Sequence, residues 1–96
     1  MNLKPAFWGL TGATLLLAGC GIPPQGTNLQ DVARFEAAVA SIGCRLVTEA
    51  DYLPVELQTG LTREQTTSLA TYVLNTDRAA RLEGGGIILT TGACAA

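Results

Sequence analysis

Histidine is absent from this chain of 96 residues. Its absence removes the side chain that most often serves as general base, completes hydrolytic triads and ligates zinc. Positive charge is scarce: Lys4 and five arginines stand against eight carboxylates, for a net charge of −2. The charges alternate along the chain without forming a block, so no polybasic tract exists to grip phosphate backbones or anionic lipid. Aromatic residues make up 5 % of the chain and do not interleave with basic ones, which removes the stacking pattern of single-stranded nucleic-acid binders. There is no Cys-x-x-Cys pair, the spacing of a redox dithiol. The uncharged apolar block at residues 6–19 falls short of the roughly 20 residues that cross a bilayer, and Gly21, Pro23 and Pro24 forbid its continuation as a helix. These absences predict no catalytic residue, no cofactor and no metal, and therefore no enzyme.

What is present is concentrated at the front. Residues 1–5 carry one basic side chain, Lys4, and residues 6–19 are uncharged and contain Phe7, Trp8, Leu10 and Leu15, Leu16 and Leu17. A short positive start followed by an apolar middle is the shape of a secretory signal. A core helix with Cys20 as a small buried hydrophobe is the competing reading. Against it, the block is apolar on all sides and carries Gly9, Gly12 and Gly19, a composition a surface helix would not favour.

The segment Leu17-Ala18-Gly19-Cys20 resembles the lipobox of bacterial lipoproteins, in which a branched apolar residue and two small ones precede a modified cysteine. The resemblance implies a diacylglyceryl group on the Cys20 sulfur, cleavage between Gly19 and Cys20, and acylation, for example with palmitate, of the new amino terminus. Small residues suit the site, because a protease at a membrane surface must approach an extended backbone closely. Each acyl methylene buried contributes about 0.8 kcal/mol, so two or three chains hold a protein on a bilayer without further apolar sequence. Gly21, where an Asp would favour inner-membrane retention, implies the outer membrane facing the periplasm in a Gram-negative cell.

The expected organisation is a signal peptide at 1–19, a tether at 20–27 and a small globular domain at 28–96. Glycine, proline, glutamine and threonine dominate the tether, and Pro23 with Pro24 stiffens it. The mature part carries five arginines against eight acids, a net of −3. With Cys20 committed to lipid, Cys44 and Cys94 remain, and an even pair in a small exported domain reads as a disulfide.

Leu29, Val32, Phe35, Val39 and Ile42 recur at helical spacing, with Thr27 and Gln30 as a capping box and Gly43 as a stop. A second, short or broken helix is expected between a cap at Thr48 and Asp51 and a stop at Gly60, limited by Pro54. A third begins at Thr62 with Gln65, packs Leu69, Tyr72 and Val73, and ends near Asn75. Ala80 and Leu82, the Glu83-Gly84-Gly85-Gly86 tip and the run from Ile87 to Thr91 signal a hairpin. The expected fold is small α+β, three helices followed by a C-terminal β-hairpin, an element order similar to that of winged-helix domains.

In a DNA-binding winged helix, the third helix enters a groove and the wing grips phosphates. Here the third helix offers Arg63, Glu64, Gln65, Thr67 and Ser68, and the wing tip carries Glu83, so no nucleic-acid partner is expected. Glu49 with Asp51, and Glu56 with Glu64, are the conceivable carboxylate pairs and read as solvated helix charges. The Gly84-Gly85-Gly86 run lacks the Lys-Ser/Thr and following helix of a phosphate loop. Phe35, Tyr52 and Tyr72 read as packing aromatics. The sequence therefore predicts an envelope protein lipid-anchored through Cys20, with a structural or interaction domain that meets a protein partner. A winged-helix DNA binder with a misread N-terminus and a redox protein using Cys44 and Cys94 are the alternatives.

Overall fold

The computed structural model describes residues 21–95; the expected signal segment 1–19, the lipobox-like residues and Cys20 lie outside the described residues. Helix α1 spans Leu29–Ser41, strand β1 Arg45–Leu46, α2 Glu49–Thr59, α3 Arg63–Asn75, β2 Ala79–Arg81 and β3 Ile87–Leu89, and a 3-10 turn covers Gly92–Cys94. The strands form one antiparallel sheet in the order β1-β3-β2, with Arg45 opposite Ile88 and Ala79 opposite Leu89. This is the expected α+β arrangement of three helices and a C-terminal hairpin, in winged-helix-like order. It gains one strand that the sequence pattern did not reveal: β1, two residues long, too short to show an alternation.

Each helix starts on a side chain that satisfies its own orphan amides. At α2 the Asp51 carboxylate accepts from the backbone N–H of Thr48 at 3.0 Å and of Val47 at 2.9 Å. At α3, Thr62 and Gln65 cap each other reciprocally at 3.1 and 3.0 Å. At α1 the expected cap is corrected by one residue. Asn28, not Thr27, is the N-cap, and it exchanges hydrogen bonds with Asp31 at 2.9 and 3.0 Å. Both registers satisfy the box pattern; an ionised Asp at the third position meets the helix dipole better than Gln30. The Thr27 hydroxyl instead donates to the Pro24 carbonyl at 2.6 Å, closing a turn.

Helix α2 runs unbroken through Pro54. The carbonyl that Pro54 leaves without a helical donor belongs to exposed Ala50, where solvent can reach it. The helix ends at Gly60, whose left-handed φ of 73° glycine adopts without strain.

The core lies between the three helices and one face of the sheet. Val32, Phe35, Ala38 and Val39 of α1 meet Val55 of α2, Leu69, Ala70 and Val73 of α3, and Leu46, Ile87 and Leu89 of the sheet. Phe35 is fully buried at their centre. Leu29, expected on the buried stripe, is instead 68 % exposed, because α1 has only just begun there and no element among the described residues covers it. Gly86, at φ +81°, lets β3 approach β1: a Cβ there would sit 2.8 Å from the Leu46 carbonyl oxygen and the Val47 Cα.

Candidate functional site

Cys44 and Cys94, the two described residues singled out for covalent chemistry, are joined in a disulfide with a Cα separation of 5.7 Å, inside the usual range. The bridge ties the turn after α1 to the turn after β3. Cys44 adopts a left-handed conformation, φ +71°, while its carbonyl accepts from Leu89 N–H at 2.8 Å. The bond therefore closes beside the sheet hydrogen bonding that joins the same two segments.

The carboxylate pairs suggested by the sequence are not the ones that meet. Glu49 and Glu56 converge on Arg63 from one face of α2. The guanidinium donates to both oxygens of Glu49 at 2.8 Å and also bonds Glu56, while it lies 4.7 Å from the centroid of the Tyr52 ring. The hydrogen bonds from Arg63 hold the Glu49 carboxyl below its usual range, and the same pairing raises Arg63. The Thr48 N–H, with that of Val47, lowers Asp51 likewise. A general acid needs a raised carboxyl pKa, so Glu49 and Asp51 are tuned in the opposite sense. The signal for this clamp was present: Glu49 and Glu56 stand seven residues apart, two helical turns on one face. Their partner across the turn was not legible.

A second charged joint sits between α1 and the sheet. Arg78, at the entry to β2, donates through Nε and Nη2 to Glu36 of α1, and the Thr91 hydroxyl donates to the same carboxylate at 3.2 Å. The Glu36 hydrogen bonds raise Arg78. This joint borders a shallow concavity of about 370 Å³ lined by Leu29, Val32, Ala33, Ala37, Ala40 and Ala93, among others.

The segment expected as a tether is laid along α3. Tyr72 Oη donates to the Gly21 carbonyl at 2.9 Å, and Gln65 Nε2 to the Gly26 carbonyl at 3.3 Å, so residues 21–26 run antiparallel to the helix. Pro23 and Pro24 are half-buried. Tyr72 thus serves as a holder of the N-terminal segment as well as a packing aromatic. The outward residues of α3 beside it, Thr67, Ser68, Thr71 and Asn75, are uncharged, and they share a concavity with Ile22 and Pro24. The α3 surface that a winged helix would offer to a nucleic-acid groove is therefore partly covered. Its one cation, Arg63, is engaged by two carboxylates.

Among the described residues no group of three or more metal-ligating side chains gathers, and no helix is long and apolar enough to cross a membrane. The class of protein that fold and surface define is a small disulfide-bonded α+β domain of winged-helix-like order. Compared with protein families, curated proteins and solved structures, the chain matches none.

Proposed function

We propose that this protein is a bacterial lipoprotein: a signal segment cut before Cys20, acyl chains on that cysteine, and a small domain that acts at the membrane surface as a structural or interaction module for another envelope protein. The observation that carries this reading is Leu17-Ala18-Gly19-Cys20, placed at the end of an apolar block and directly before a Gly/Pro break. The Cys44–Cys94 disulfide supports it, because small exported domains use such bonds and cytosolic ones rarely keep them. In a Gram-negative cell, Gly21 directs the protein to the outer membrane, facing the periplasm.

The test is intact mass of protein extracted from its own membranes, together with labelling by a clickable fatty acid. A chain beginning at Cys20 with acyl groups, and loss of the label in Cys20→Ala, are the expected results. An unprocessed, unmodified chain in the cytosol refutes the proposal.

The strand order β1-β3-β2 favours one other reading, a winged-helix DNA binder. Its electrostatics oppose it: α3 carries Arg63 within a clamp of two glutamates, and the wing tip carries Glu83. Salt-sensitive DNA binding by the purified protein would favour that reading over the proposal.

A further inference from the structure

From the way residues 21–30 lie on α3 and α1, we infer that the domain rests flush on the bilayer, with this face turned to the lipid, instead of hanging from a free tether. The inference deepens the lipoprotein reading and depends on it, since Cys20 must carry the anchor. Three independent observations place the face.

The first is where the described chain starts. The Gly21 carbonyl is held by Tyr72 Oη at 2.9 Å, and in sequence Gly21 directly follows Cys20. A lipid at that position leaves the domain almost no spacer. The hold is repeated at Gly26 by Gln65, and the Thr27 to Pro24 turn shortens the segment further.

The second is charge. From Pro5 to Gln30 the sequence has no Asp, Glu, Lys or Arg, and α3 from Thr67 to Asn75 has none either. Glu64 stands at the Gln25 end of this surface, and Asp31 and Arg34 at its other border neutralise each other. All eight acids of the chain lie at position 31 or beyond. An anionic leaflet repels that acidic remainder and leaves the uncharged face as the one that approaches without cost.

The third is apolar exposure: two of the five exposed large apolar side chains among the described residues lie in this face, and Val47, Leu53 and Leu57 lie outside it. Ile22 and Leu29 are each 68 % exposed and line one concavity with Pro23, Thr27, Asn28 and Gln30. Side chains of this kind bury into the headgroup and acyl boundary of a bilayer. Leu57, 85 % exposed on α2, serves as the contrast. The Ser41 to Gln58 hydrogen bond, 3.1 Å, sets the end of α2 beside the end of α1, about 18 Å along that helix from Leu29.

The experiment uses the full chain, expressed in its host with Trp8→Phe so that no native indole contributes. Single tryptophans are placed by Ile22→Trp, Leu29→Trp, Gln30→Trp and Leu57→Trp. Each protein is reconstituted in vesicles of phosphatidylethanolamine and phosphatidylglycerol with brominated acyl chains, and its intact mass is recorded. Ile22→Trp lies two residues from the anchor and reports anchoring alone. The inference expects Leu29→Trp and Gln30→Trp to be quenched roughly twofold or more, as for side chains reaching the acyl boundary, with Leu57→Trp unquenched. Quenching at Ile22→Trp with Leu29→Trp and Gln30→Trp as bright as Leu57→Trp overturns the flush orientation and leaves the lipoprotein reading standing. Equal quenching at all four positions also overturns it, because the domain would then have no preferred face. An unmodified Cys20 with no quenching anywhere overturns both.

Discussion

Breaking the Cys44–Cys94 bond is expected to remove a large part of the domain's stability without changing its folded structure. The two cysteines are 50 residues apart. A cross-link closing a loop of that length withholds about 14 cal/mol/K of entropy from the unfolded chain, or about 4 kcal/mol at 25 °C. A domain of this size has a total of roughly 4–11 kcal/mol. The native contacts beside the bond do not need it: Cys44 carbonyl to Leu89 N–H, Cys44 N–H to the Val39 carbonyl and Cys94 N–H to the Thr91 carbonyl are all backbone, at 2.8 to 2.9 Å. The loss therefore falls on the unfolded ensemble. In urea titrations followed by far-UV circular dichroism, Cys44→Ala/Cys94→Ala should unfold at lower denaturant with a steeper slope, because the unlinked chain exposes more surface. The thermal midpoint should fall by roughly 15–30 °C. The left-handed backbone at residue 44, φ +71°, adds an internal check. Cys44→Gly/Cys94→Ala should recover about 1 kcal/mol over the alanine pair, since glycine meets no Cβ penalty there. A double alanine variant within about 1 kcal/mol of the wild type, at unchanged slope, would refute the reasoning.

Gly86→Ala should cost about 2 kcal/mol or more, from a positive φ and a Cβ pressed against the β1 backbone, measured by the same titration. Glu36→Gln is expected to cost about 1 kcal/mol: Arg78 loses its carboxylate but is 42 % exposed and can turn to solvent. Thermal melts at low and high salt should show the difference shrinking as salt rises. The folded Asp51 pKa is depressed by the Thr48 and Val47 amides. Its contribution is therefore present above the unfolded value of about 4 and is lost as pH falls through the lower folded value. Asp51→Asn should flatten the fall in stability below about pH 4, and an unchanged acid limb would contradict the assigned role.

Local rules carried the reading of the helices. Thr48 with Asp51, Thr62 with Gln65, and the stops at Gly43 and Gly60 each act within one turn of chain, so their signals are complete in a short window of sequence. The cysteine pairing was legible only because the lipobox resemblance set Cys20 aside, since three thiols allow three bonds and two allow one. What the sequence did not disclose is long-range. Thr27-Gln30 and Asn28-Asp31 are equivalent as patterns; the acidic third residue favours the second, and the Pro24 carbonyl takes the Thr27 hydroxyl that the first would use. Leu29 fits the apolar period of α1, but nothing in that period says that no element covers the first turn. Tyr72 and Gln65 reach back 51 and 39 residues to hold Gly21 and Gly26. Arg63 gathers Glu49 and Glu56 across a turn, which replaces the carboxylate pairs suggested by proximity in sequence.

The position of β3 in the middle of the sheet governs the order in which the protein can be completed. β1 and β2 do not touch each other; each finds its only strand neighbour among the described residues in Ile87–Leu89. A chain delivered from its front end therefore has two strands without a strand partner until those residues appear, at a synthesis rate of about 5–20 residues per second. Until then Leu46 lacks the strand that pairs beside it, and the core lacks Ile87 and Leu89. The last strand is the keystone of the sheet, and among the described residues no backbone pairing between strands precedes it.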